Sequence, residues 1–419
     1  MTDLLRTIAP DEVPELRRDP VDAEAYQTAL EIVDDVRKRG ETALREHAER
    51  LGDIEPGAPL VIPRARLEEA LRSIDQDDRD LLERTAGRIR SFAEAQRQSL
   101  KSVELDVPGG RAGHVITPVD RAGCYAPGGR FPLPSSVLMT AVTAGAAGVE
   151  EVWVASPRPA PITLAAAAVS GVQGLLAAGG AQGIAALAFG TDEIQPCDAV
   201  VGPGNRFVTA AKQIVSGRVA IDMLAGPSEL VVCADGSAEP AIVAADLLAQ
   251  AEHDPDALPV LVTTDEELIR DVNDELEAQL DDLPTAGTAS VALANGYAVL
   301  VPDVDTARRV CDRLAPEHLE LHIDDADTEA WRFNHYGGLF IGPGAAEVLG
   351  DYGAGPNHTL PTGGTARHTG GLSVLDFLRV RTWLSIDDPT AAAPLVRDAE
   401  RLADLEGLSA HARAARWRL

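Results

Sequence analysis

The sequence predicts an α/β protein with two Rossmann-like α/β domains whose sheets are rich in parallel strands. Between about Val115 and Val232, short apolar runs such as EVWVAS alternate with helices of small residues such as LAAAAVSGV. The alternation returns beyond residue 228, in SELVVCAD, PVLVTT, YAVLVPD and HLELHI. Apolar strands that alternate with helices are typical of βαβ units around a mostly parallel sheet.

The two ends of the chain have a different pattern, which predicts helices. Residues 22–50 and 64–100 carry apolar residues at helical spacing, with charged outer faces. Beyond about Gly371 the sequence predicts a small helical tail that has little of its own chain to pack on. We therefore expect a helical N-terminal arm over 1–22, a discontinuous first α/β domain over 23–123 and 231–372, an inserted α/β domain over 124–230, and the helical C-terminal tail over 373–419.

Charge and composition argue against two classes of protein. The formal net charge is −29 and no basic stripe is present, so we expect no nucleic-acid partner. No run of about 18 apolar residues occurs, and the first residues lack the apolar core of a secretory signal. The cysteines are scattered without a CxxC pair, as in proteins of a reducing compartment. We expect a cytoplasmic protein that does not enter a membrane.

The segment QAEHDPDA has a spacing that suits a metal ion. Gln250 and His253 are three residues apart on a predicted helix, so both side chains point to one face. An amide oxygen and an imidazole nitrogen placed in this way can bind one ion. The same spacing is also common on solvated helix surfaces, and the pair alone does not distinguish the two cases.

An adjacent Glu317 and His318 precede an apolar strand in LAPEHLEL. Their ordinary pKa values, roughly 4.3 and 6.5, suit two different acid–base tasks near neutral pH. A solvated loop pair would have the same sequence, so this interpretation also needs support from elsewhere in the chain.

Two further segments carry candidate site residues. Asp351 and His358 lie in GDYGAGPNHTLPTGG, whose glycines and prolines force a tight loop of the kind that often holds binding residues. Glu406 and His411 are five apart in the tail segment EGLSAHARAA, where composition alone predicts an exposed helix.

Candidate cofactor-binding turns lack the GxGxxG pattern. Glycine-rich turns precede predicted helices in AGCYAPGGRFPLPSSVLM and GGAQGIAALAFG, and GPGNRF is a shorter example. Backbone N–H groups at such turns can bind phosphate or ribose oxygens. The same turns also serve simply to connect a strand with a helix.

Taken together, these segments resemble the histidinol dehydrogenase family. The motifs YxPGG…PSSVLM, GGAQxIAALAxGT, VGPGN, DMxAGPSE, ADLLxQAEHDPDA, APEHLEL, GPNHxLPT and EGLxAH occur in the family's order, from about residue 30 to about residue 415. Eight motifs in order cover nearly the whole chain, which chance or a shared fold alone would not produce.

The resemblance implies an enzyme that oxidises L-histidinol through histidinal to L-histidine with two NAD+. It implies one zinc ion per subunit, bound by Gln250, His253, Asp351 and His411. In the family the tail histidine comes from the neighbouring subunit, so a homodimer with shared active sites is implied as well. A set of nitrogen and oxygen donors without thiolate suits Zn²⁺.

The resemblance also implies roles for the other residues. His318 would take the alcohol proton, and Glu317 would activate the water that adds to the aldehyde. The implied substrate-binding residues are Ser228, Gln250, His253, His318, Asp351, His358, Glu406 and His411. The implied cofactor contacts are Tyr125, Gln182 and Asn205.

Some segments depart from the family's commoner wording. Ala93 stands where the family often has His, and the tryptophan usual shortly after it is absent. Two other interpretations therefore stay open. One is a related zinc- and NAD-dependent dehydrogenase of another small polar alcohol or diol, and the other is a non-catalytic zinc-binding scaffold. The intact Glu317 and His318 speak against the scaffold.

Overall fold

The computed structural model describes residues 4–16, 19–128 and 132–418. Its strands are β1 Arg6–Ile8, β2 Val61–Pro63, β3 Val103–Val107, β4 Gly110–Pro118, β5 Arg121–Tyr125, β6 Glu151–Ala155, β7 Gly174–Leu176, β8 Ala199–Val201, β9 Ala220–Ile221, β10 Glu229–Ala234, β11 Leu258–Thr263, β12 Tyr297–Leu300, β13 His318–His322, β14 Gly338–Ile341 and β15 Leu378–Ile386.

Its α-helices are α1 Ala23–Arg39, α2 Glu41–Arg50, α3 Arg64–Ser73, α4 Gln76–Ser99, α5 Pro134–Ala147, α6 Pro161–Ser170, α7 Gly180–Phe189, α8 Arg206–Val215, α9 Pro240–Ala251, α10 Glu266–Asp281, α11 Ala286–Leu293, α12 Val304–Leu314, α13 Ala326–Glu329, α14 Glu347–Asp351, α15 Pro389–Leu405 and α16 Ser409–Arg416. Short 3₁₀ turns lie at Ala330–Arg332, Thr365–Arg367 and Val374–Phe377. No described helix combines the length and the apolar character that crossing a membrane requires.

Two six-stranded sheets form the framework of the fold, as the alternation of strands and helices predicts. The first sheet has the order β1-β12-β11-β10-β13-β14, and all its strand pairs are parallel. Its central strands β10, β11 and β13 are buried along their whole length. Burial on both faces explains why β10 and β11 have nearly continuous apolar sequences in place of alternating ones. Strand β13 is also buried but alternates, with its two leucines between His318, Glu320 and His322.

The second sheet has the order β2-β7-β6-β5-β8-β9 and is parallel except for its β2–β7 edge. Its strands from β5 to β9 belong to the alternating region that the sequence indicated. Helices α5 and α7 are buried almost all round, which their runs of Ala, Gly and Val permit. The predicted α/β class with parallel-rich sheets is therefore confirmed.

The N-terminal helices pack on the second sheet, which differs from the predicted grouping of 23–123 with 231–372. Helix α1 contacts α7 and α8, α3 contacts α6, and α4 contacts α5. Apolar residues of these helices share cores with that sheet, among them Val33 and Leu44 in one core and Leu82 and Ile89 in the other. The amphipathic pattern identified an apolar face on each helix, but it contains no information about which sheet covers that face.

The described part of the predicted N-terminal arm forms a strand where a helix was expected. Strand β1 adds in parallel to β12 at the edge of the first sheet. Leu5 beside it is fully buried, and its backbone N–H donates to Asn273 Oδ1 at 2.9 Å. A three-residue edge strand is too short to show a period in the sequence.

The C-terminal tail is helical over α15 and α16, as expected, but it also contains an unexpected strand. Strand β15 pairs antiparallel with β4, and β4 pairs with β3 in a third, three-stranded sheet. Helix α16 packs on α15. Helix α15 keeps Leu395, Leu402 and Leu405 at the surface, and Leu408 and Trp417, which flank α16, are exposed as well.

Candidate active site

The acid–base pair predicted from APEHLEL lies at the amino end of β13. His318 is the first residue of this strand, Glu317 precedes it, and Ser228 precedes the neighbouring strand β10. Ligands of open α/β sheets usually lie beyond the carboxyl ends of strands, so this edge is the less common one. Helix α9 follows β10 and runs back along the sheet, which brings its own last turn to the same edge.

The two nitrogens of the buried His318 have different surroundings. Nδ1 lies 3.1 Å from the main-chain oxygen of Glu229, which can only accept, so the proton of the neutral ring belongs on Nδ1. Nε2 is buried, forms no hydrogen bond with the described residues and lies 3.9 Å from Asp351 Oδ1. Burial lowers the pKa of His318 to about 3. The ring therefore presents a free lone pair at neutral pH.

Glu317 is held by two donors at the start of β10. Ser228 Oγ donates to Glu317 Oε2 at 2.5 Å, and the backbone N–H of Glu229 donates to the same oxygen at 3.1 Å. Within the described residues, Oε1 receives no hydrogen bond. Burial raises the pKa of Glu317 well above the usual range of a carboxyl, although the two hydrogen bonds act in the opposite direction.

Two of the four predicted metal ligands are neighbours beside His318. His253, just beyond α9, places its Nε2 3.8 Å from Asp351 Oδ2 on α14. Burial raises the pKa of Asp351 to about 7 and lowers the pKa of His253. Both pKa shifts reflect the free-energy cost of a charged group at this buried place without an opposite charge. A bound cation would offset that cost for the Asp351 carboxylate.

Gln250, the third predicted ligand, lies three residues before His253 in the last turn of α9. Its side chain is fully buried, and neither Oε1 nor Nε2 has a hydrogen-bond partner among the described residues. A buried polar group without a partner costs roughly 1–3 kcal/mol. A cation at this edge would give the amide oxygen a partner, so the donor set of amide, imidazole and carboxylate fits a zinc-type ion.

Sequence reasoning missed Glu347, which belongs to the same group. Its Oε1 lies 3.9 Å from His253 Nδ1 and 3.7 Å from His318 Nδ1. His253, Glu347 and Asp351 each place one possible ligand atom within 4.8 Å of the others. A signal was present in the sequence, because Glu347 and Asp351 are four residues apart and so share one face of a helix.

His358 closes one side of this group. Its Nδ1 lies 3.1 Å from the main-chain oxygen of Asp351, and burial lowers its pKa to about 4. His318, Asp351 and His358 line a cavity of about 390 Å³, together with Phe92 of α4 and Phe340 of β14. The cavity therefore lies between the first sheet and a helix that packs on the second.

Glu406 and His411 are exposed on the C-terminal tail. Neither side chain forms a hydrogen bond or an ion pair with any residue that the structure describes. A single chain therefore brings together Glu317, His318, His253 and Asp351, with Gln250 beside them, and leaves both predicted tail residues apart from this group.

The predicted cofactor contacts lie at the carboxyl ends of the second sheet, where such ligands usually bind. Tyr125 ends β5, and its hydroxyl accepts from the backbone N–H of Gly180 at 3.1 Å. Gln182 Nε2 donates to Asp53 Oδ2 at 2.7 Å, and the same oxygen accepts from Gly179 N at 2.8 Å. Asp53, which sequence reasoning missed, thus fixes both the glycine turn and Gln182.

Asn205 forms the N-cap of α8, where its Oδ1 accepts from the backbone N–H groups of Phe207 and Val208. The loop before Asn205 is fixed at Gly202 by a buried ion pair between Lys212 and Asp222. Lys212 Nζ donates to the main-chain oxygen of Gly202, and the Gly202 N–H donates to Asp222 Oδ2 at 2.8 Å. Residues 129–131 of the other predicted glycine turn lie outside the described residues.

Comparison with known proteins gives one consistent result. The sequence model of the family described as "Histidinol dehydrogenase" matches residues 16–419. The histidinol dehydrogenase of Pseudomonas fluorescens strain Pf0-1 is 44% identical over 411 residues, which are 95% of this chain and 91% of that protein. The histidinol dehydrogenase of Thermus thermophilus is 46% identical over 386 residues, 91% of this chain and 92% of that protein.

Solved structures agree with the sequence comparison. The crystal structure of histidinol dehydrogenase from Elizabethkingia anophelis superposes with a TM-score of 0.91 at 30% identity, over 100% of this chain and 98% of that one. An acetylating aldehyde dehydrogenase from Geobacillus thermoglucosidasius gives a TM-score of 0.51 at 15% identity, over 86% and 97% of the two chains. The second likeness concerns the fold alone.

Proposed function

Because this chain belongs to the histidinol dehydrogenase family, we propose that its zinc-type site performs both oxidations from L-histidinol through histidinal to L-histidine, with two NAD+. Family membership makes the chain an NAD-dependent oxidoreductase that oxidises histidinol in histidine biosynthesis. The proposal adds the metal, the roles of individual residues and the subunit arrangement. One observation carries it, namely the free Nε2 of His318 beside His253 and Asp351.

His318 is the base for the substrate hydroxyl in this proposal. Its Nδ1 proton is committed to the Glu229 main-chain oxygen, so Nε2 can accept the hydroxyl proton while the carbon loses hydride. The lowered pKa keeps the ring neutral, so the Nε2 lone pair is unprotonated throughout the neutral range. NAD+, when bound, supplies the hydride acceptor.

Glu317 activates the water of the second oxidation. Its Oε2 is occupied by Ser228 Oγ and the Glu229 N–H, so Oε1 remains to accept a proton from water as the water oxygen adds to the aldehyde carbon. The hydrate then loses hydride to the second NAD+. Ser228 would bind substrate through the lone pairs of the same hydroxyl that donates to Glu317.

Zinc is the proposed metal, held by Gln250, His253 and Asp351 of one chain. The buried Gln250 amide without a partner, and the adjacent imidazole and carboxylate, support this assignment. When bound, zinc supplies a Lewis acid that holds the imidazole and amino nitrogens of the substrate. His358 lines the same cavity and would contact the substrate there.

The partner subunit of a homodimer would complete this site with its copies of Glu406 and His411. In a single chain both residues are exposed on the tail and remain apart from the other predicted ligands. The exposed Leu402, Leu405 and Trp417 of the tail support its burial against a second copy, since exposed apolar patches mark association surfaces. In a symmetric dimer each tail would then serve the other chain's site.

The cofactor would bind at the carboxyl ends of the second sheet, against Tyr125, Gln182 and Asn205. Tyr125 ends β5, Gln182 lies in the first turn of α7 and Asn205 caps α8, and hydrogen bonds fix Gln182 and Asn205. Burial raises the pKa of Tyr125 to about 12, so its phenol stays protonated and can donate to a ribose or phosphate oxygen.

The test is NADH formation from L-histidinol, compared with a panel of other amino alcohols and diols. We expect L-histidinol to give the highest kcat/KM, with two NADH formed for each substrate molecule. Exhaustive chelation should abolish the rate, and added Zn²⁺ should restore it. Preference for another alcohol would contradict the substrate assignment, and full activity of a metal-free protein would contradict the zinc assignment.

A further inference from the structure

We propose that Glu347 is a positioning residue of the metal centre, whose carboxylate orients the His253 imidazole so that Nε2 binds the metal. The inference rests on the zinc site proposed above and adds to it a residue that acts only through His253. Two observations support it. The two ring nitrogens of His253 face different carboxylates, and the backbone of Glu347 is fixed by a hydrogen bond to the first sheet.

The two nitrogens of His253 face different carboxylates. Nε2 is 3.8 Å from Asp351 Oδ2, while Nδ1 is 3.9 Å from Glu347 Oε1. A metal bound between Nε2 and Asp351 leaves the Nδ1 proton directed at Glu347. Metal-binding histidines usually donate their other N–H to a carboxylate or a carbonyl, which fixes the tautomer and the ring orientation.

Glu347 has no other partner for its carboxylate among the described residues. The side chain is almost completely buried, and neither oxygen forms a hydrogen bond. Oε1 also lies 3.7 Å from His318 Nδ1, but that nitrogen already faces the Glu229 main-chain oxygen at 3.1 Å. The Nδ1 proton of His253 is therefore the donor that remains within reach of Glu347.

The backbone of Glu347 is fixed where a positioning role requires it. Its N–H donates to Glu320 Oε1 at 2.7 Å, which ties the start of α14 to the middle of strand β13. Asp351 lies at the other end of this five-residue helix. The metal-binding carboxylate and the orienting carboxylate are thus carried one turn apart on a single short element.

His253 has room to complete the contact. About 36% of its side-chain surface is exposed in the single chain, so the ring can turn toward Glu347. Hydrogen bonds in sites without their ligands are often long and shorten when the ligand binds. A donor–acceptor distance near 2.8 Å, typical of charge-assisted bonds, needs a shift of only about 1 Å.

The experiment measures Zn²⁺ affinity by competition with a chromophoric chelator at a fixed pH. Glu347→Gln keeps the shape but removes the charged acceptor, and we expect its dissociation constant to rise by about 10–100-fold. Glu347→Asp keeps the charge but withdraws the carboxylate by one methylene, and should lose affinity in the same direction. Melting curves recorded with excess chelator check that the variants fold without metal.

Glu252→Gln is the matched control. Burial lowers the pKa of His253, and the charge of Glu252, its exposed neighbour, acts in the opposite direction without any contact that orients the ring. We expect its Zn²⁺ affinity to stay within about 2-fold of the wild type, as is usual for exposed charges. Equal losses in Glu252→Gln and Glu347→Gln would mean that net charge matters and position does not, which overturns the inference.

A double variant separates orientation from direct ligation. If Glu347 acts through His253, Glu347→Gln should weaken binding no further once His253→Ala is present. Additive losses would make Glu347 a ligand in its own right and overturn the inference, as would wild-type affinity in Glu347→Gln. A wild-type protein that binds no Zn²⁺ at all would instead contradict the zinc site itself, so the two failures are distinguishable.

Discussion

Replacing Glu317 with Gln should separate the two oxidations. Glu317 Oε2 accepts from Ser228 Oγ and from the Glu229 N–H, so an amide would turn its oxygen toward these donors and its NH₂ group toward the position of Oε1. An NH₂ group cannot accept a proton from water, although the shape and both hydrogen bonds are kept. The alcohol step needs a base but no water, and His318 supplies that base in the proposal.

The size of the effect follows from the role assigned to Oε1. Loss of a general base lowers a rate by about 10²–10⁴-fold, or roughly 3–5 kcal/mol of transition-state stabilisation. We expect that loss in the aldehyde step and less than about 10-fold in the alcohol step. The raised pKa of Glu317 adds a signature in pH, because the base form appears only as pH rises through that pKa. The wild-type aldehyde step should therefore increase with pH, with a midpoint above the usual carboxyl range, and the variant should lack this limb.

The assay is single-turnover NADH formation with enzyme in excess, started from histidinol and separately from histidinal. His318→Ala is the reciprocal control, since it should impair the alcohol step while zinc content stays near normal. Equal losses in both steps for Glu317→Gln would refute the assignment of the water-activating role. Loss of zinc from His318→Ala would show that His318 belongs to the metal site instead.

Two further predictions test the shared site and the buried thiols. A His253→Ala chain mixed with a His411→Ala chain should regain activity in heterodimers, because one of their two sites combines an intact His253 with the intact His411 of the other chain. Absence of recovery despite demonstrated subunit exchange would contradict a shared site. Burial raises the pKa values of Cys124, Cys197 and Cys311, with Cys197 at about 12, so at pH 8 only ~10⁻⁴ of Cys197 is thiolate. We expect thiol reagents to modify the native protein orders of magnitude more slowly than the unfolded chain, and rapid labelling of the native protein would contradict this.

The fold class could be predicted because its signal is local. Strands β10 and β11 are nearly continuous apolar runs, and the helices between the strands have helical periodicity, so each of these elements can be recognised within a few residues. Local patterns do not show which elements, distant from each other in sequence, pack together. The apolar faces of α1 to α4 were correctly expected, but only the structure shows that they cover the second sheet.

The missed strand β15 is a different case, because its signal was present. Leu378, Val380, Leu384 and Ile386 share one parity, and the positions between them carry Arg379, Arg381 and Ser385 beside Trp383, which is close to the period-two pattern of a strand. The prediction of a helical tail rested on α15 and α16, which follow β15 in the chain, and extended their helical character to this strand. The third sheet has β4 at its centre and β15 and β3 at its edges. Much of the exposed apolar surface of this sheet belongs to the two edge strands.

The site residues also divide into those with a local sequence signal and those that depend on a partner distant in sequence. The spacing of Gln250 and His253 within one helix was readable, since three residues make nearly one turn. Glu347 and Asp53 were not selected, because each gains its importance only from a partner far away in sequence. Glu347 meets His253 and Asp53 meets Gln182 through tertiary packing alone, and the only local signal for either carboxylate is the spacing of four residues between Glu347 and Asp351.

One connecting segment ties the two halves of the proposed chemistry together. Asp222 at its start accepts from the Gly202 N–H beside the cofactor turn, and Ser228 at its end donates to Glu317. Seven residues span at most about 25 Å, so the backbones of Asp222 and Ser228 cannot lie farther apart than that. The groups that move protons, His318 and Glu317, belong to one chain and to the amino end of one strand, β13 of the first sheet. Under the proposed dimer, the partner's tail adds only groups that bind metal and substrate, so assembly would govern affinity while each chain keeps its own acid–base machinery.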